Sequence, residues 1–397
     1  MIVGSRDRRD DLEWHPMDEQ PFGIPPELFG KVPLFAEIAK AMSWSGGPVN
    51  WDLAAQIANA MAGEQPVVPV IDEDRAELAE AARLTESWLL DATGLPAPSS
   101  PVSILTLSPS EWVARGLRQY PELVDPLAAK IASAGDSADL PAEEAAVGTM
   151  LKQVGPLLLG IQTGTLIGSL ATSLLTGYDL PLPLEDGGAL PLLVGHIDAH
   201  ALSYGIDRRE VRWWMTLHAV AHRVLYEGIP EARAQFFARY HEFLSSIDLN
   251  IADLLERLQG MDMSDPAQLR SAVGEGLFGF GDGGIGPARD GLQRFVALIE
   301  ATAGLAAEAA AKGRLVEAPR VAESLSRRRA EGSADVLLAR FTGLDAPPEV
   351  TRQARAFCSY VTSAAGWSAL STMWQDEVRM PTGAELADPE SWIVRTT

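Results

Sequence analysis

Cysteine is almost missing from this sequence: Cys358 is the single one among 397 residues. A lone thiol excludes an internal disulfide framework and any cysteine-rich zinc site. It falls in the apolar helical stretch Ala354 to Val361. There it reads as a buried structural thiol, because Cys behaves as a small hydrophobe unless a cationic neighbour activates it. Basic side chains are also scarce. The 32 Lys and Arg are outnumbered by 54 Asp and Glu, a net charge of -22, so the average surface repels phosphate backbones and anionic lipid. Nucleic acid is therefore excluded as a partner. The one basic cluster of note, Arg327-Arg328-Arg329, follows a run of helix formers and reads as a solvated helix face. The N-terminus has no basic-then-apolar leader, which points to a cytoplasmic protein.

One uncharged run, Gln153 to Tyr178, is long enough to cross a bilayer. It carries Gly160, Gly164 and Gly168 at four-residue spacing, a pattern that serves close helix packing in membranes and in soluble cores alike. Pro156, Gln162, several Thr and Ser, the lack of early aromatic anchors and a single basic flank, Lys152, argue against a span. The run is expected to form a buried central helix.

What is present is ordinary core material, 47% apolar and 22% charged, enough for a packed body. Residues 1 to about 48 hold Pro16, Pro21, Pro25, Pro26 and Pro33, which suits a surface-wrapping arm. Helical patterning follows over Asp52–Met61, Asp72–Leu95 and Ser108–Ala134. The last of these opens on a Ser N-cap, Pro109 and Glu111, a good start signal. The small acidic stretch Ala134 to Leu140 is the best boundary, dividing an N-terminal arm and helical region, 1–140, from a second region, 141–397. After the glycine-spaced helix, Tyr178 to Leu184 and Leu190 to Val194 flank a Glu-Asp-Gly-Gly turn and are expected to be two short strands. The glycine-dense segment 274–286 lacks a GK[ST] ending and reads as a loop rather than a phosphate cradle. Helices resume over 287–312, 319–343 and 348–366, so the fold class is α+β, predominantly helical with a small sheet.

Asp207 as N-cap, Glu210 three residues on, and Gly228 with Pro230 delimit a helix over 208–227, with a capping box at its start. It contains His218-Ala219-Val220-Ala221-His222. Residues four apart share one helix face, so both imidazoles can reach one atom. With six His in the chain, chance supplies only about 0.09 such pairs. A second pair, His196 and His200, follows the second expected strand with no cap before it, and its bland reading is the stronger one. For the 218/222 pair the bland alternative is a core-facing stripe shared with Trp214, Ala221 and Leu225. Glu300 weighs against it. This is the single charged side chain between Phe295 and Ala307, and a carboxylate in so apolar a helix needs a metal or a cation to offset its desolvation.

The glycine-rich helix, the Tyr178-Asp179-Leu180 segment, a short strand and a Trp-rich helix ending in a histidine pair are together similar to a bacterial family of zincin-like metallopeptidases. Val49-Asn50-Trp51-Asp52-Leu53-Ala54, Arg355-Ala356-Phe357-Cys358 and Ala387-Asp388-Pro389-Glu390-Ser391-Trp392 extend the likeness over nearly the whole chain. Members show HExxH on the helix and a later LLEGHAD-like segment, which Leu298-Ile299-Glu300-Ala301-Thr302-Ala303-Gly304 resembles. The resemblance implies a zincin-like metallopeptidase core in 141–397, with His218, His222 and Glu300 as zinc ligands. This sequence departs from the pattern twice. Ala219 stands where the family has its catalytic glutamate, and Gly304 where an aspartate beside the ligands is expected.

Peptide hydrolysis needs a base to take a proton from water and return it to the leaving amine, an effect of about 10²- to 10⁴-fold. Alanine can do neither. Loss of an orienting aspartate commonly matters about 10- to 100-fold. The resemblance and these departures together imply an impaired hydrolase or pseudopeptidase that holds zinc weakly or not at all and takes a peptide or protein ligand. Its rivals are an active hydrolase with a relocated base and a metal-free peptide-binding scaffold. Glu210 and Glu227 lie on the same helix but toward its ends, away from position 219.

Overall fold

The computed structural model describes residues 46–133, 142–183, 189–247, 286–330, 344 and 346–396. Most of the proline-rich arm, the boundary at 134–140, the Glu-Asp-Gly-Gly turn and nearly all of the glycine-dense segment lie outside these. Among the described residues there are thirteen α-helices and one two-stranded sheet, the mostly helical α+β arrangement that the patterning implied. No described helix is long and apolar enough to cross a membrane.

Helix α1 (Trp51–Gly63) starts at Asn50, whose side chain accepts from Leu53 N. Helix α2 (Asp72–Thr93) has three acidic residues in its first turn and ends at Gly94, which has φ 65°. Strand β1 (Ser103–Thr106) precedes α3 (Pro109–Gln119), opened by a complete Ser108/Glu111 capping box. Helix α4 (Pro121–Ser133) follows at once. The single helix expected from Ser108 to Ala134 is thus two, because Pro121 has no N–H to continue the hydrogen-bond ladder and instead opens α4.

Helix α5 (Ala142–Ser173) contains the glycine stripe, which presses against α1. A Cβ added at Gly160 would lie 2.6 Å from Asn50 O, at Gly164 2.6 Å from Ala54 O, and at Gly168 2.6 Å from Met61 Sδ. Only hydrogen fits between the two helices at these points, which is what the four-residue spacing encodes.

The strands differ from expectation. Ala189–Leu192 is a strand, β2, but its partner is β1, paired in parallel with Ser103 opposite Ala189 and Thr106 opposite Leu192. Described residues of Tyr178–Leu184 form no strand. Asp179 turns back to accept from Leu175 N and Thr176 N, and Pro181 and Pro183 have no N–H for a ladder. One core cluster contains residues from both sides of the 134–140 stretch, among them Leu78, Leu123, Leu170 and Leu217.

The remaining helices are α6 (Val194–Tyr204), α7 (Arg208–Glu227), α8 (Pro230–Ser246), α9 (Pro287–Ala311), α10 (Ala318–Ala330) and α11 (Pro348–Gln375). Helices α12 (Gly383–Ala387) and α13 (Pro389–Thr396) complete the set. Helix α7 is the axis of the molecule: every residue from Val211 to Tyr226 is buried. Helices α2, α6, α8, α9 and α10 all pack on it. Cys358 is wholly buried on α11, and burial pushes its thiol up to about 12.

Candidate metal centre

Two buried arginines fix α7 on either side of its histidines. Arg212 grips Asp198 through Nε and Nη2, each 2.7 Å from a carboxylate oxygen, and Asp74 at 2.6 Å. Arg223 reaches Glu86 and the Ser100 carbonyl, both at 2.5 Å, and Glu227 at 3.0 Å. Removing one partner of such a buried pair typically costs about 3–5 kcal/mol, so the helix is held firmly. The same contacts give Glu227 a structural role. Gly228 ends the helix with φ -76°, so its need is space: a Cβ there would lie 2.2 Å from Pro96 O.

The start of α7 is built differently from the expected capping box. Asp207 caps Arg209 N and Glu210 N at 2.9 and 3.1 Å. Glu210 does not return to Asp207 but accepts from Val316 N and Glu317 N, while Glu317 accepts from Asp207 N at 2.9 Å. The reciprocal clasp ties the segment before α10 to the head of α7. A second tie joins α6 to α10, where His200 Nε2 lies 2.8 Å from Ser324 Oγ. The 196/200 pair does lie on a helix, but His196 Nδ1 is bonded to Leu174 O at 2.8 Å. Neither imidazole belongs to the metal cluster.

These ties bring three sequence-predicted residues together. His218 Nε2 is 3.6 Å from one Glu300 oxygen and His222 Nε2 is 3.2 Å from the other, and the three ligand atoms lie within 4.8 Å of one another. Ligands about 2.0–2.1 Å from a tetrahedral zinc sit about 3.3 Å apart, so the spacing fits. The chemistry fits too. His222 Nε2 and Glu300 Oε2 are buried and have no hydrogen-bond partner among the described residues, an arrangement that a shared cation would satisfy. Burial holds the His222 imidazole below the usual histidine range, outweighing the opposing pull of Glu300. That favours the neutral imidazole, the form in which histidine ligates metal. Burial would raise the Glu300 carboxyl, but the Arg329 guanidinium, and then the two imidazoles, hold it well below the usual carboxylate range.

Five neighbours of these ligands were not among the residues the sequence singled out for the site. Tyr178 stacks on His222, with centroids 5.6 Å apart. Tyr226 OH donates to Pro181 O at 2.6 Å, and burial holds its hydroxyl well above the usual tyrosine range. Arg329 Nη1 lies 2.8 Å from Glu300, and Arg328 Nη1 3.8 Å from Asp179. Asp179 lines a cavity of about 20 Å³ with His218, Arg328 and Arg329. The basic run is thus split by partner: Arg327 pairs with Glu323, whereas Arg328 and Arg329, both partly open to solvent, face Asp179 and Glu300. The helical period of 3.6 puts successive residues about 100° apart, which permits this division.

Ala219, next to His218 in the chain, is fully buried. A Cβ added at Gly304 would find Arg355 Nη1, at 3.6 Å, as its nearest neighbour, so this position looks toward α11. His218 Nδ1 and His222 Nδ1 both lack hydrogen-bond partners among the described residues.

A family model described as zincin-like metallopeptidase matches residues 49–393. The chain belongs to that family. The match crosses the 134–140 stretch and leaves out only the ends. Among solved structures, this zincin-like chain is similar to a candidate hydrolase with a novel fold from Chloroflexus aurantiacus. The two are 25% identical with a TM-score of 0.63, over 87% of this chain and 98% of that one. No curated protein matches the chain.

Proposed function

We propose that this zincin-like chain binds one zinc ion through His218, His222 and Glu300 and is an impaired hydrolase or pseudopeptidase that takes a peptide or protein ligand. The observation that carries the reading is Ala219, buried beside the first ligand, with no group there able to accept a proton. Zinc at this site would supply Lewis acidity to a carbonyl and lower the pKa of a water.

The rest belongs to the chain's own side chains. His218 and His222 present Nε2 from one helix face, and Glu300 brings negative charge from the facing helix. Tyr178 limits the rotation of His222. Tyr226 keeps its proton on the Pro181 carbonyl and so is withdrawn from acid-base work. With no base at 219 and, among the described residues, no hydrogen bond orienting either Nδ1, both binding and turnover are weakened.

A second reading keeps activity through a relocated base, and Asp179 favours it. Its carboxylate shares the small cavity with His218, although Leu175 N, Thr176 N and Thr176 Oγ1 already occupy its oxygens.

Metal analysis and a peptidase assay test both readings. Zinc-loaded protein should carry one zinc per chain, lost in His222→Ala, and cleave mixed peptides at no more than a trace rate. Strong chelator-sensitive cleavage would overturn the impairment; its loss in Asp179→Asn would identify the relocated base. No zinc at any concentration would leave the metal-free scaffold.

A further inference from the structure

The cavity beside His218 measures about 20 Å³, room for one water-sized group. The His222 side chain is 0% exposed and that of His218 8%. A peptide cannot bring a carbonyl to either Nε2 through so small a space, so a wall has to move.

Most of the walls are fixed. Met215 and His218 stand on α7, which its two buried arginines hold. The C-terminal end of α5, locked on α1 through its glycines, supplies Ser173 and Leu174. Asp179 is held by Leu175 N and Thr176 N. The last wall is α10, and this helix is anchored along its first half alone. Glu317, just before it, is clasped to the head of α7, Val321 is wholly buried, and buried Ser324 is bonded to His200.

Beyond Ser324 the burial runs out. Leu325 is half-buried, and the Arg328 and Arg329 side chains are 25% and 43% exposed. Arg328 Nη1 stays 3.8 Å from Asp179, and Arg329 meets Glu300 among its other contacts. A stretched ion pair and one on so exposed an arginine are weak restraints. The last carbonyls of a helix also lack intrahelical donors, so an end held in this way opens locally. We infer that residues 325–329, the free end of α10, are a lid over the candidate metal centre, hinged at Ser324 and lifted when a ligand enters. The His200–Ser324 bond is the bolt that stops the opening from running further up the helix. The inference rests on the metal reading above for what the lid guards; that this end lifts stands on the packing alone.

The test uses the whole protein and, in its first arm, no metal. Met215→Cys puts a thiol in the cavity wall, and its alkylation by iodoacetamide is followed by mass spectrometry of its peptide, separately from that of Cys358. Leu174→Cys, at another wall of the cavity, serves if Met215→Cys does not fold. Ser326 is exposed on the lid, and its Oγ donates to Ala322 O one turn back. Ser326→Gly and Ser326→Ala both lose that bond and differ in helix propensity. The introduced thiol should therefore react about four- to fivefold faster with Gly at 326 than with Ala. The same pair of substitutions at Ser87, exposed on α2, weakens the whole fold equally but should leave the thiol's rate unchanged.

Equal rates for the two Ser326 variants would overturn the inference. So would a Ser87 pair that moves the rate as far, the mark of general unfolding. In the second arm, zinc release to excess chelator should be about four- to fivefold faster from Ser326→Gly than from Ser326→Ala; release at one rate would show that the lid does not cover the metal. A chain that takes up no zinc defeats the metal reading instead, and the alkylation arm still decides whether the end of α10 lifts.

Discussion

Tyr178 lies flat against His222, its ring plane 6° from parallel and the centroids 5.6 Å apart. His218 meets the same imidazole edge-on at 4.9 Å. With neither Nδ1 hydrogen-bonded among the described residues, these ring contacts, worth about 0.5–1.5 kcal/mol per aromatic pair, are what aim the two Nε2 atoms at Glu300. A stack constrains the plane of a ring but not its slide within that plane, so the two imidazoles are oriented less strictly than hydrogen-bonded ones.

Restoring the base should restore chemistry. Ala219→Glu, loaded with zinc, is expected to raise chelator-sensitive peptide cleavage at least 10²-fold over wild type, the lower end of a general base's contribution. Ala219→Gln should not. A folded, zinc-containing Ala219→Glu as inert as wild type would show that more than the base is missing.

The glycine stripe makes a prediction about stability. At Gly164 an added methyl meets the backbone of Ala54, with Cα at 2.7 Å, which no rotamer change relieves, so Gly164→Ala should cost about 1–3 kcal/mol. Gly291, on α9, meets only Arg294 Nη2 at 3.9 Å. Gly291→Ala should instead stabilise by about 0.4–1 kcal/mol. Urea denaturation of the pair decides the point, and equal effects would remove the close-packing account.

His200 should make stability fall in mild acid. Burial, and secondarily Arg328, bring its imidazole down to about 4, below the value near 6.5 expected in the unfolded chain. As the pH falls below 6.5 the unfolded chain takes up this proton first, so stability declines until the pH reaches about 4. The difference is about 3 kcal/mol at most. Between pH 7 and 4.5, wild type should lose roughly 2–3 kcal/mol more than His200→Gln, measured by denaturant midpoints at each pH. Parallel curves for the two proteins would contradict it.

Much of this was legible in the residues. Asp207 and Gly228 bracket α7 where the structure ends it. Glu300 stood out as a single charge in an apolar run, and charge in such a place demands a partner. The rest depends on tertiary placement. Nothing local distinguishes Arg329, which meets Glu300, from Arg327, which meets Glu323. The stack of Tyr178 on His222 joins residues 44 positions apart. Strand β1 leaves no signal in the sequence because Ser103-Ile104-Leu105-Thr106 is too short to show an alternating period, and its partner lies beyond α5. The strand expected at 178–184 looked plausible by alternation, but its prolines and Asp179 use the backbone otherwise.

The order in which the site's parts occur along the chain sets a schedule for its assembly. Glu300 follows His222 by 78 residues and Arg329 follows it by 107. At synthesis rates of about 5–20 residues per second, the histidine helix leaves the ribosome roughly four to sixteen seconds before its carboxylate. During that interval the nascent chain offers a metal two imidazoles, no counter-charge and no α9 to bury them. The candidate site is therefore completed late in the molecule's history, and Arg329 arrives after the carboxylate it meets.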